Sequence, residues 1–148
     1  MNPEPSDAAE GPALVLNMGN DPAAIDEARI ALVAFLEPLG VVAPTMNRVE
    51  VVLEELVSNP IRHGHDVTAI TIAADYREGL IDLVVEDDGA EFDPLAKPDP
   101  DPFTSLAEAP LGGLGIVLVR RLTCAARYDR IGTGAEARNR VSVTITNR

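Results

Sequence analysis

Apolar residues change period several times along the chain, and each change predicts an element. Ile25, Ala28, Leu32, Phe35, Leu36 and Leu39 recur at helical spacing and stop at Gly40. Asp21-Pro22 precedes them, an acceptor for exposed amides followed by a residue whose fixed φ suits a first turn, so a helix is expected to open there. Val49, Val52, Leu53, Leu56 and Val57 form a second helical stripe, which Pro44-Thr45 opens and His63-Gly64 closes. After His65 the period becomes two. Val67, Ala69, Thr71 and Ala73 interleave with Thr68, Ile70, Ile72 and Ala74 as far as Tyr76. Arg77-Glu78-Gly79 is a turn, and 80–87 is the second strand of a predicted antiparallel hairpin. Ile116, Val117, Leu118, Val119 and Leu122 predict a third helix. Strands are expected at 13–18, 126–131 and 141–145, the last two joined by Gly132-Thr133-Gly134. Helices and strands in this order, with hairpin-length links, imply an α+β domain. It should be a two-layer α/β sandwich in which helices cover one face of a mostly antiparallel sheet.

Two stretches lack any period. Residues 1–11 are acidic and Pro-rich, and a disordered lead-in is expected, with one domain over 12–148. Between about 93 and 111 stand Pro94, Pro98, Pro100, Pro102 and Pro110, which forbid regular structure over most of the stretch. An irregular segment that long inside a domain is expected to be a lid or a disordered loop.

Composition narrows the function. The chain has 148 residues, a formal net charge of −12, 46% hydrophobic residues and 3% aromatic ones, with no Trp. The core must therefore be aliphatic. The charge argues against nucleic acid as the main partner, which needs clustered Lys and Arg. It leaves a nucleotide open, since a nucleotide brings its own Mg²⁺ and binds backbone N–H groups. No apolar run is long enough to span a membrane, and the N-terminus has no basic-then-apolar order, so a soluble cytoplasmic protein is expected. The single Cys124 is expected to be a small buried hydrophobe.

Three short segments could carry chemistry. Glu55 and Asn59 sit four apart on one helix face. An amide oxygen there can ligate a hard cation, and a carboxylate can take a proton or hold a water. The same pair also fits the solvated flank of an amphipathic helix. Asp87 ends an apolar strand beside Gly89. Its carboxylate can accept a hydrogen bond from an exocyclic amine while the glycine lets a flat ring approach; a plain Asp-Gly turn is the alternative. Gly112-Gly113-Leu114-Gly115 precedes the third helix, where free backbone N–H groups can cradle a phosphate. Arg120 and Arg121 are expected on solvated surface. His63 and His65, two apart, lie on different helix faces, which does not suit a metal pair.

Taken together, Glu55-Leu56-Val57-Ser58-Asn59, Asp87-Asp88-Gly89 and Gly113-Leu114-Gly115 resemble the nucleotide-binding boxes of the GHKL ATPase superfamily, with its histidine-kinase-like fold. The fuller runs, with His63-Gly64 after the first box, Phe92-Asp93-Pro94 after the second and Ile116 to Arg120 after the third, are similar to stand-alone anti-sigma-factor serine/threonine kinases of bacteria. The resemblance covers about residues 13–146. It implies ATP and Mg²⁺ as cofactors. Asn59 would ligate the metal, and Glu55 would act as general base or orient the attacking hydroxyl. Asp87 and Gly89 would hold adenine, and Gly113, Leu114 and Gly115 the phosphates. Residues 93–111 would be the ATP lid, from which Lys97 could reach a terminal phosphate. The implied function is transfer of the γ-phosphate to Ser or Thr of an anti-anti-sigma protein, with a sigma factor as a further partner and a homodimer as the assembly. The alternative is a binding module of the same fold that has lost catalysis and acts by partner capture.

The chain departs from the pattern at three places. Pro60 follows Asn59; a helix-interior proline loses one hydrogen bond and crowds a carbonyl, at roughly 3 kcal/mol. The helix is therefore expected to kink there or to end near Asn59. Glu91 stands where a glycine is common in the second box, and Cys124-Ala125 where acidic residues are common.

Overall fold

The computed structural model describes residues 14–96 and 114–148. The expected lead-in 1–11, Lys97, Gly112, Gly113 and most of the expected lid lie outside the described residues. In chain order the elements are β1 (Leu14–Gly19), α1 (Ala24–Leu36), α2 (Ala43–His63), β2 (Ala69–Arg77), β3 (Leu80–Asp87), α3 (Leu114–Leu122), β4 (Ala125–Ile131) and β5 (Arg138–Thr146). The five strands form one sheet in the order β1-β2-β3-β5-β4, and every neighbouring pair is antiparallel.

Local chemistry explains most of the boundaries. Glu78 and Gly79 have φ of 51° and 79°, the two left-handed positions of a tight hairpin, and they leave Arg77 paired with Leu80. Asp21 accepts the Ala23 N–H at 3.0 Å, one turn before α1 begins at Ala24 rather than at Pro22. Past α1, the turn Glu37–Leu39 ends at Gly40 with φ 92°, a conformation only glycine adopts freely.

The helical stripes and the strand alternation meet in one core. Leu32 and Leu36 of α1, Val49, Val52, Leu53 and Val57 of α2, and Ile70, Ile72, Ile81, Leu83 and Ile145 of the sheet are essentially inaccessible. Each such side chain contributes about 1.5–3 kcal/mol on burial, an upper bound because the unfolded chain is already partly compact. On the opposite sheet face polar side chains alternate with these, and Arg140 pairs with Glu86 at 2.8 Å.

The expected fold class is thus observed, and three details differ. First, α2 does not end near Asn59. It runs through Pro60, which is buried, for another turn to His63, where the Gly64 N–H donates to the Pro60 carbonyl at 3.0 Å. Gly64 has φ −74°, so it is required for space and not for a left-handed turn: a Cβ there would lie 2.5 Å from the Pro60 oxygen. Second, Pro94–Ala96 forms a short 3₁₀ turn at the start of the Pro-rich stretch. Third, Cys124 is exposed, not buried, with its thiol donating to the Thr144 carbonyl at 3.3 Å. It stands between α3 and edge strand β4.

The last residues are fastened to the start of α2. Buried Thr45 accepts the Arg148 N–H at 2.9 Å, and Arg48 donates to the carbonyls of Thr146 and Arg148 at 3.0 and 2.8 Å. No described helix is long and apolar enough to cross a membrane.

Candidate functional site

The end of β3, the second half of α2 and the start of α3 carry the three segments singled out in the sequence. Asp87 is the last residue of β3 and is 9% exposed. Its Oδ1 accepts the Gly89 N–H at 2.9 Å, so the Asp-Gly turn expected as the alternative reading does form. Oδ1 also accepts from Nδ2 of Asn139 at 2.9 Å. Among the described residues none donates to Oδ2.

Asn139 is the residue that sequence reasoning missed. It is 3% exposed on β5, and its carboxamide is fully employed. Nδ2 donates also to the Ala90 carbonyl at 2.8 Å. Oδ1 accepts from the Tyr128 hydroxyl at 2.7 Å, from Arg130 at 3.0 Å and from the Phe92 N–H at 3.1 Å. Arg130 donates in addition to the Gly89 carbonyl at 2.9 Å. Burial pushes the Tyr128 hydroxyl up from its ordinary value, as does the nearby Glu91 carboxylate, so it remains a donor. A signal did exist: Val141, Val143 and Ile145 point inward at period two, and counting back one step reaches Asn139.

Gly89 sits against the connector after α2. A Cβ there would lie 2.5 Å from Val67 Cγ2 and 2.7 Å from the His65 carbonyl, so any other residue would force the turn outward. The Ala90 N–H donates to that same carbonyl at 2.8 Å. The same Val67 methyl lies 2.7 Å from where a Cβ of Gly64 would be. The Asp87–Gly89 turn and the C-terminal end of α2 are therefore packed as one unit. Neighbouring Asp88 belongs to a different task. It accepts from the backbone N–H groups of Thr68 and Ala69 at 2.8 and 3.0 Å and from the Thr68 hydroxyl, tying the strand end to the start of β2. Burial works upward on its carboxyl, but these bonds outweigh it and hold the pKa at about 2.

On α2, Glu55 and Asn59 are both half-buried on the flank between core and solvent. Burial raises the Glu55 carboxyl above its ordinary value, opposed by Arg62 and helped by Glu54. The Nδ2 atom of Asn59 is buried and has no hydrogen-bond partner among the described residues. A buried amide without a partner is costly, about 1–3 kcal/mol, unless a ligand completes it. The carboxamide therefore suits a hard cation held through its oxygen, with an anionic oxygen accepting from its nitrogen.

Gly115 is placed differently from expectation. It lies in the first turn of α3, which already begins at Leu114, rather than in a loop before the helix. A Cβ built on it would overlap Glu55 Oε2 and lie 2.9 Å from Glu55 Cδ. The first and third segments are thus in direct contact. Gly113 falls outside the described residues. Arg120 is not simple solvated surface: it donates to the Leu95 carbonyl, linking α3 to the 3₁₀ turn after the Asp87 segment. Arg121 is exposed, as expected.

The chain spans a third of the length of one solved structure it matches, the RsbU and RsbW domains of Rv1364c from Mycobacterium tuberculosis. That match has 17% identity and a TM-score of 0.57, and it covers 92% of this chain and 33% of that one. The histidine kinase AdeS of Acinetobacter baumannii matches at 20% identity and TM-score 0.46, over 90% of this chain and 68% of that one. A histidine kinase domain from the Erythrobacter litoralis EL346 blue-light activated histidine kinase matches at 17% identity and TM-score 0.43, over 88% of this chain and 62% of that one. No curated protein matches. The profile of the histidine kinase-like ATPase domain matches residues 18–145, nearly the whole chain, and the chain belongs to that family.

Proposed function

We propose that the chain binds ATP with Mg²⁺ and transfers the γ-phosphate to a Ser or Thr hydroxyl of a partner protein, in the manner of an anti-sigma-factor kinase. Family membership supports ATP binding. The observation that carries the catalytic half is Glu55, a partly desolvated carboxylate on the same helix face as the Asn59 amide, whose Nδ2 has no hydrogen-bond partner among the described residues. A carboxylate with raised proton affinity is a better acceptor for the hydroxyl proton near neutral pH.

In this reading Asn59 would hold Mg²⁺, and the cation would supply charge neutralisation across the phosphates. Asp87 would present Oδ2 to the adenine amine; its Oδ1 is occupied by Gly89 and Asn139. Because both N–H groups on Oδ1 demand an acceptor, Asp87 favours a ligand that donates, which suits the amine of adenine over the carbonyl of guanine. Glu55 takes the proton from the attacking hydroxyl, and the rest of the work is positioning. The partner would be an anti-anti-sigma protein, with a sigma factor as a second protein bound and a second copy of the chain as the assembly.

Two measurements test this. In a transfer assay with Mg·ATP and candidate partner proteins, Glu55→Ala is expected to abolish phosphorylation while calorimetry shows ATP binding retained. Full phosphorylation by Glu55→Ala removes the proposed base. No ATP binding at millimolar nucleotide leaves only partner capture.

A further inference from the structure

The contact between Glu55 and Gly115 goes a step further than a phosphate cradle. Two observations define it. The Glu55 carboxylate occupies the space that any side chain at 115 would need, with its Cδ 2.9 Å from a Cβ built there. Gly115 lies in the first turn of a nine-residue helix, so the carboxylate rests against a rigid element. Alanine is a better helix former than glycine, and here the glycine has a local reason.

We propose that Gly115 is a positioning residue for Glu55: the missing side chain lets the carboxylate seat against the first turn of α3, and that seat fixes where the proton acceptor stands. The inference rests on the functional reading above and assigns Gly115 a role there other than holding phosphate. In the transfer step the partner's hydroxyl oxygen forms its bond to the γ-phosphorus. The bond from that phosphorus to the bridging oxygen breaks, and its electron pair leaves with ADP. The hydroxyl proton passes to Glu55. Misplacing the acceptor by about 1 Å is enough to slow such a step by about 100-fold without touching nucleotide contacts.

The test is Gly115→Ala in the full chain, alone and combined with changes at Glu55. Alanine favours a helix, so nothing but the Glu55 contact should make it harmful. Three results are expected: kcat falls by about 100-fold, the KM and calorimetric Kd for Mg·ATP stay near wild type, and Tm falls. Shortening the acid in Gly115→Ala/Glu55→Asp makes room and should restore Tm and part of kcat. In a Glu55→Ala background Gly115→Ala should no longer lower Tm. A rise in Kd for Mg·ATP with kcat unchanged would overturn the proposal in favour of a phosphate contact. Additive Tm changes in the Glu55→Ala cycle would overturn the contact itself, whatever the assay shows. Non-additive Tm changes in a chain that binds no nucleotide would keep the contact but overturn its catalytic half together with the functional reading.

Discussion

Asn139 shows how one buried side chain can set the state of another. It receives three donors and gives two bonds, one of them to Asp87. Asn139→Ala strands several of these partners, and a loss of about 2–4 kcal/mol in denaturant unfolding is expected, together with weaker nucleotide binding. Asn139→Asp keeps the shape but sets a second carboxylate against Asp87, so it should be worse than alanine at neutral pH. Equal losses for the two variants at neutral pH would show that the Asp87 bond is unimportant. Asn139 does not stand out in the sequence, because Arg138-Asn139-Arg140 contains no apolar residue and the alternation of β5 reads as starting at Val141. By contrast Glu55, Asn59 and Asp87 were legible, since a single helix face or strand end places each. What the sequence could not supply was contact between elements, such as Gly115 against Glu55.

Two carboxyls give pH dependences of opposite sign. Asp88 has a folded pKa of about 2, below its ordinary 3.8. Its contribution to stability is present above about 3.8 and is lost as pH falls toward about 2. Asp88→Asn should therefore flatten the acid loss in a series of melts across that window. The effect is expected to be modest, because the site is largely solvated. Glu55 is raised above 4.5, so the ionised base disfavours folding and is lost first on acidification. The acid limb of the transfer rate should accordingly lie above pH 4.5.

Among elements, α2 runs farther than one of its sequence expectations. Of the kink or end that proline after Asn59 predicts, the end does not occur: the helix continues for its full 21 residues to His63. Packing accounts for this. Leu56, Val57, Ser58 and Pro60 are all buried, so tertiary contacts hold the last turn despite the missing amide. Pro60→Ala restores an N–H to the helix but removes ring contacts from the interior. A net gain of about 1–2 kcal/mol in denaturant unfolding is expected, short of the roughly 3 kcal/mol that a helix-interior proline costs. A loss instead would mean that the ring packing outweighs the hydrogen bond. The sheet, in contrast, was readable almost entire. Its hairpin turn and its alternation are local signals, whereas the pairing of β1 with β2 across the two helices and of β3 with β5 across the α3 segment required the folded chain.

For the whole molecule, charge sets the terms of binding. A chain of net charge −12 repels an anionic nucleotide at long range, and only local amides, a cation and helix ends can offset this. Raising ionic strength from about 0.01 M toward 0.15 M screens the repulsion and should strengthen Mg·ATP binding in calorimetry. Weakening over that range would mean that a basic patch governs the encounter. At free nucleotide near 100 times Kd, unfolding should cost about 2.7 kcal/mol more than without ligand.

The clasp of Thr45 and Arg48 on the carbonyls of residues 146 and 148 has a practical corollary. Thr45 and Asn59 are fourteen residues apart on α2, so about 20 Å of helix separates the end of the described chain from the proposed metal ligand. A fluorophore, tether or solid support joined beyond Arg148 would leave by the far end of that rod. Immobilised there, the protein would still offer its ligand side to the surrounding solution.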